Sequence, residues 1–133
     1  MTTNYTDTFI AVSPDTTAKK GEAPAKPDSV AGMQYAMIAA KPYGYTSDQI
    51  LFEIHARRHG VARADRDEAR VAFFARPKAC LRASPLVKQY GWGLHHDAHG
   101  KVAAYGVQTT AYRKFLARKD VGVVAGMRGR KAT

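Results

Sequence analysis

The residues most able to do chemistry crowd into Cys80–Tyr105, CLRASPLVKQYGWGLHHDAHGKVAAY, which holds the only Trp, the only Cys and three of the five His. Arg82 offers a planar fork for a carboxylate or phosphate, Ser84 a small hydroxyl donor, and His95 a ring that titrates near neutrality. Such a set suits a small anionic ligand better than a metal ion. Tyr90 and Trp92 flank it as aromatic walls. Tyr43 and Tyr45, brought close by the turn Lys41-Pro42-Tyr43-Gly44-Tyr45, either form an aromatic lip on the same pocket or pack with their hydroxyls toward solvent.

Other chemistries fit less well. His95 and His96 are adjacent on a predicted strand and so point to opposite faces, while His99 falls in a turn. His55 and His59 have the i, i+4 spacing of helical metal ligands, but no third ligand is near and Arg57 and Arg58 repel a cation. No metal and no cofactor is expected. Cys80, between Ala79 and Leu81, reads as a small buried apolar residue, with Arg82 the one thiolate-stabilising group nearby. Ser84 lacks the Gly-x-Ser-x-Gly elbow of a serine nucleophile, and Pro85 after it suggests a rigid loop. No phosphate-binding glycine loop, dinucleotide fingerprint or calcium loop occurs.

These side chains need a scaffold, and a β-hairpin over about 90–108 supplies it. Asp97 begins a type I turn and Gly100 provides the positive φ that closes it. Pairing His96 with Lys101 places Trp92, Leu94, Ala103 and Tyr105 on one face. Gly91, Gly93, Ala104 and Gly106 then lie on the other with His95 and Val102, and a bulge would shift this register by one. A face paved with glycine and alanine admits a helix, a second backbone or a ligand.

Around the hairpin, Thr8-Phe9-Ile10-Ala11-Val12 predicts an N-terminal strand. Residues 13–28, with three prolines and a glycine, read as a long loop that is either mobile or functional. Ser29 caps a helix over Val30–Ala40, and Thr46-Ser47-Asp48 caps another over Gln49–His59 that Gly60 ends. The alternation Ile50, Phe52, Ile54 also suits a strand there. Asp65 with Glu68 resembles a capping box for a helix over Arg66–Ala75. A further helix runs from Thr109 or Thr110 through Arg118, and Asp120 caps a last short helix, Val121–Met127. Residues 128–133 form a basic, frayed tail.

The 133 residues make one domain with a real core. The longest stretch free of charge and proline, residues 29–40, is too short to cross a bilayer, so no membrane association is expected. The lack of a signal-peptide pattern and the single cysteine favour the cytoplasm. The net charge of +10 is uneven: residues 1–54 carry four Lys and six acids, residues 55–133 carry 17 Lys/Arg and five acids. The basic half allows nucleic acid as an alternative partner, although no recognition motif accompanies it.

Several blocks together resemble DUF6157, a bacterial family of unknown function. They are Asn4-Tyr5 with Thr8-Phe9-Ile10, Pro42-Tyr43-x-Tyr45-Thr46-Ser47-Asp48, Leu51-Phe52, Cys80-Leu81-Arg82-Ala83-Ser84-Pro85-Leu86, Tyr90-Gly91-Trp92-Gly93-Leu94-His95 and Gly100-Lys101-Val102-Ala103. The resemblance covers nearly the whole chain and implies a single domain; it brings no activity. The expectation is therefore an α+β domain, a small mostly antiparallel sheet built on the hairpin and the N-terminal strand and covered by four to five helices. A small anionic ligand would bind beside the hairpin at Arg82, Ser84, Tyr90, Trp92 and His95, with Tyr43 and Tyr45. Nucleic-acid association is the alternative, and an enzyme with His95 as general base the third reading.

Overall fold

The computed structural model describes residues 1–129, so residues 130–133 of the predicted basic tail lie outside the described residues. Strand β1 (Thr8–Ala11) forms where β-branched and aromatic residues cluster, and it buries Phe9 and Ile10 completely on its two faces. Helices α1 (Val30–Ala40), α2 (Ser47–Arg58), α3 (Arg66–Phe74) and α4 (Pro85–Lys88) follow. Then come the hairpin strands β2 (Trp92–His96) and β3 (Val102–Gly106), helix α5 (Thr110–Ala117) and strand β4 (Gly122–Ala125). The sheet order is β3-β2-β1-β4. The β1–β2 and β2–β3 pairs are antiparallel and β1–β4 is parallel, which gives the expected α+β class with a mostly antiparallel sheet. Among the described residues no helix is long and apolar enough to cross a membrane.

Both faces of the sheet are covered. Ile10, Leu94 and Val102 meet Met37 and Ile38 of α1, Ile50 and Ile54 of α2, and Leu86 and Val87 of α4. On the opposite face Phe9 meets Tyr112 and Phe115 of α5, with Val121. The helix starts are capped as their sequences demand. The Ser29 hydroxyl accepts from Gly32 N–H, Thr46 and Gln49 form a reciprocal capping box, and Thr109 accepts from Tyr112 N–H. Asp65 makes no such bond: it sits in a 3-10 turn, Arg63–Asp65, whose backbone displaces the side chain from the cap geometry. Helix α2 is held to the chain start by Asp48, whose carboxylate accepts from Thr2 Oγ1 (2.6 Å), Thr3 N–H (2.7 Å) and Thr3 Oγ1 (2.6 Å). Burial alone would raise this carboxyl, but those bonds outweigh it and hold the pKa below the usual range.

Three further sequence expectations change. The last segment is a strand and not the helix Val121–Met127: Gly122–Ala125 pairs in parallel with Thr8–Ala11, and β-branched Val123 and Val124 suit that role. Pro85–Lys88 is a short helix, begun by Ser84 and a proline at its first position, where a rigid loop was expected. The hairpin register also shifts by one. Asp97 and Lys101 close a three-residue loop, with Asp97 N–H on Lys101 O (2.9 Å) and Gly100 at φ +77°, so His96 faces Val102 and not Lys101. Tyr105 thereby leaves the Trp92–Leu94 face and joins Gly93, His95 and Ala103 on the other.

Segment 13–28 contains no helix or strand and runs across the base of the hairpin. Ser13 N–H donates to Val87 O (2.9 Å), Glu22 N–H to Tyr90 O (2.9 Å), and the Trp92 indole N–H to Glu22 O (2.8 Å).

Candidate functional site

The turn after α1 places Tyr43 against the outer edge of β3. Tyr43 N–H donates to Val102 O (2.9 Å) and Val102 N–H donates to Tyr45 O (2.9 Å), so the turn acts as a short extra strand and covers that edge. Tyr43 has φ +58°, a left-handed conformation that costs a bulky residue energy. The strain is resolved by what the side chain reaches. Tyr43 Oη lies 2.7 Å from His95 Nδ1 and 2.8 Å from Tyr105 Oη.

His95 is buried and stacked on the Phe115 ring of α5, 4.3 Å between centroids, while Tyr43 meets it edge-on. Burial, and then the positive charge of Arg118, lower its pKa from the ordinary value; Asp97, Asp7 and Asp120 pull the other way without cancelling the effect. The ring is therefore neutral at neutral pH. Burial and the Tyr105 hydroxyl raise the Tyr43 pKa strongly, so Tyr43 stays a phenol. In one polarity the three groups donate in sequence: His95 Nδ1–H to Tyr43, and Tyr43 to Tyr105. The Tyr105 hydroxyl proton is then left to point outward.

What lies outside is a cleft of ≈ 210 Å³ lined by Tyr105, Ala111, Lys114, Phe115 and Arg118. Lys114 and Arg118 are one turn apart on α5 and its C-cap, so both cations flank one side of Tyr105. Arg118 packs over Phe115 (5.4 Å to the ring centre) and forks onto Asp120 at 2.9 and 2.7 Å. That pair is exposed on both sides, and a stronger anion can displace it at little cost.

The residues singled out from sequence divide between two faces. Tyr43 and His95 come together as described. Ser84 is buried on the α1–α4 side, where its hydroxyl caps α4 at Leu86 N–H and donates to Gln34 Oε1. Arg82 sits in the turn Leu81–Ala83 and gives its Nε–H to Ala125 O (2.7 Å) at the end of β4. Tyr90 and Trp92 pack into the first core cluster, and Tyr45 packs there too under Lys41. The sheet thus separates Ser84 from His95. Of the occupants that the glycine face admits, a helix takes the place at Gly93: a Cβ there would lie 2.3 Å from Phe9 Cζ and 2.7 Å from Tyr112 Cε2 of α5.

Tyr105, Lys114, Phe115 and Arg118 were not singled out from sequence. The one-residue register error hid Tyr105, and the pair Lys114/Arg118 was visible only as i, i+4 cations beside the Phe115 position. Cys80 is half-buried with its Sγ 3.2 Å from Tyr5 Oη. His96 is fully buried with neither ring nitrogen bonded, which pushes its pKa down to about 4 through burial and then the neighbouring His95. Among the described residues no three of His, Cys, Asp and Glu gather as a metal site.

A family model described as "Family of unknown function (DUF6157)" matches residues 1–132. No curated protein matches the chain, and no solved structure does.

Proposed function

We infer that the chain, which belongs to the DUF6157 family, binds a small anionic ligand in the cleft beside the hairpin. The observation that carries this reading is the hydrogen-bonded chain His95–Tyr43–Tyr105, ending at a cleft flanked by Lys114 and Arg118. A strained Tyr43 backbone supports it, because such conformations cluster where a side chain must be held in place. The ligand's anionic group would take the Tyr105 proton and the two cations, displacing Asp120 from Arg118, and its body would lie against Phe115.

Nucleic acid is less well supported, since much of the positive charge on α2 and α3 already has an intramolecular partner. Arg57 and Arg66 pair with Glu53, and Arg70 stacks over Phe52 and Phe74. A general-base role for His95 would need a nucleophile within reach, and Ser84 lies across the sheet from it.

Titration of the labelled protein with inorganic phosphate and with succinate tests the reading. The expected result is saturable amide shifts at residues 105, 114, 115 and 118. Tyr43→Phe and Arg118→Ala should each weaken binding about tenfold, the scale of one charge-assisted hydrogen bond. Unchanged spectra at that cleft with both anions would remove the basis for the proposal.

A further inference from the structure

A second cleft, of ≈ 220 Å³, opens between α1, α2 and the end of α3, on the other side of the molecule's core from Tyr105. Its floor is apolar: Leu51 and Ile54 of α2 with Phe73 of α3. Its rim is basic. His55, Arg58 and His59 line it from α2 and Lys78 from the segment after α3, and no Asp or Glu is among the lining residues. Both acids of α2 are engaged elsewhere, Glu53 by Arg57 and Arg66 and Asp48 by Thr2 and Thr3.

The basic groups are held close. The His55 and His59 rings are 4.3 Å apart, His55 lies 4.5 Å from Phe73, and Lys78 Nζ is 4.6 Å from the centre of the same Phe73 ring. His59 Nδ1 lies 2.9 Å from His55 O; a carbonyl only accepts, so that nitrogen carries the proton and Nε2 is left for another partner. Burial first, and then the neighbouring His59 and Lys78, lower the His55 pKa from its ordinary value.

An independent feature points into the same cleft. Gln34 of α1 lines it and is only 3% exposed. Its Oε1 is engaged by the Ser84 hydroxyl, which fixes the amide and leaves its –NH₂ without a partner among the described residues. With its oxygen anchored and its nitrogen not among the buried unpaired atoms, the amide can donate to an acceptor in the cleft it lines.

We propose that this cleft binds a small amphipathic carboxylate. The hydrocarbon part lies on Leu51, Ile54 and Phe73, and the carboxylate takes Lys78, Arg58 and the Gln34 amide. Ser84 is then a positioning residue, acting on the ligand through Gln34. A purely inorganic anion would leave the apolar floor wet, and a neutral hydrocarbon would leave the cations and the amide unanswered.

Octanoate, titrated into the labelled full chain and followed by amide chemical shifts, tests this. Saturable shifts are expected in α1, in α2 and over residues 73–79. Octanamide and acetate should each bind about tenfold more weakly or worse, and Arg58→Ala with Lys78→Ala should lower octanoate affinity at least tenfold. Arg58 is exposed, so its replacement leaves the core intact. The Arg118→Ala protein should bind octanoate normally, which separates this site from the cleft at Tyr105. Octanamide binding as tightly as octanoate, indifference to the double substitution, or no shifts in α1 and α2 would each overturn the proposal.

Discussion

His95 and His96 are consecutive in β2, yet one shares its Nδ1 with Tyr43 Oη at 2.7 Å and the other has no hydrogen bond to either nitrogen. The alternation of a strand puts them on opposite faces. His95 ends up against α5 and Phe115, and His96 among the apolar residues of the α1–α4 side with the Tyr5 ring edge-on at 5.4 Å. A neutral imidazole replaces a hydrocarbon there, and its desolvation is uncompensated.

That cost should be visible in stability against pH. With a folded pKa near 4 and an unfolded value of about 6.5, His96 is neutral in both states above about pH 6.5. Below that the unfolded chain takes up a proton that the folded chain refuses, so stability falls until about pH 4 and then levels off. The loss across this window is about 3 kcal/mol. His96→Leu should abolish that part of the pH dependence and add about 1 kcal/mol at neutral pH, measured by urea unfolding. An unchanged pH profile in the variant would show that His96 is not the buried base.

Gly93 offers a test of the closure of the α5 face. A methyl group there would collide with Phe9 and Tyr112, so Gly93→Ala should cost about 3 kcal/mol. Gly60→Ala meets nothing within 4 Å and carries only the strain of φ +61°, about 1 kcal/mol. Equal losses in thermal or urea unfolding would mean that α5 does not pack on Gly93.

Strand β4 can be verified by amide exchange. Gly122 and Gly126 donate their N–H groups inward, to Asp7 O (2.9 Å) and Ala11 O (2.8 Å). The amides of Val123 and Ala125 point to the open edge. The inward amides should exchange slowly and the outward ones fast. Uniform protection of four consecutive amides would indicate a helix instead.

Much of this was readable in the chain. Ser29, Thr46 and Thr109 marked their helices because a cap is a local bond, settled by residues within one turn. Asp97 and Gly100 marked the hairpin turn for the same reason. The register was lost to a single residue of loop length, and with it the side of the sheet on which Tyr105 stands. β4 was unreadable locally, since Asp120 followed by small and apolar residues starts a helix as plausibly as a strand; pairing with Thr8–Ala11, far away in sequence, decides it. The candidate sites suffered most. Tyr43 and His95 were both named, but neither Lys114 beside Tyr105 nor Gln34 beside Lys78 is a neighbour in sequence.

The place of β1 in the sheet has a consequence for how the chain assembles. This strand sits between β2 and β4, whose paired residues follow its own by 84–88 and 114 positions in sequence. Its two backbone edges therefore find their partners one after the other, β2 first and β4 only 114 positions after β1. Completion of the sheet consequently rests on contacts of long sequence separation, which slow folding and leave one edge of β1 open to aggregation until β4 arrives.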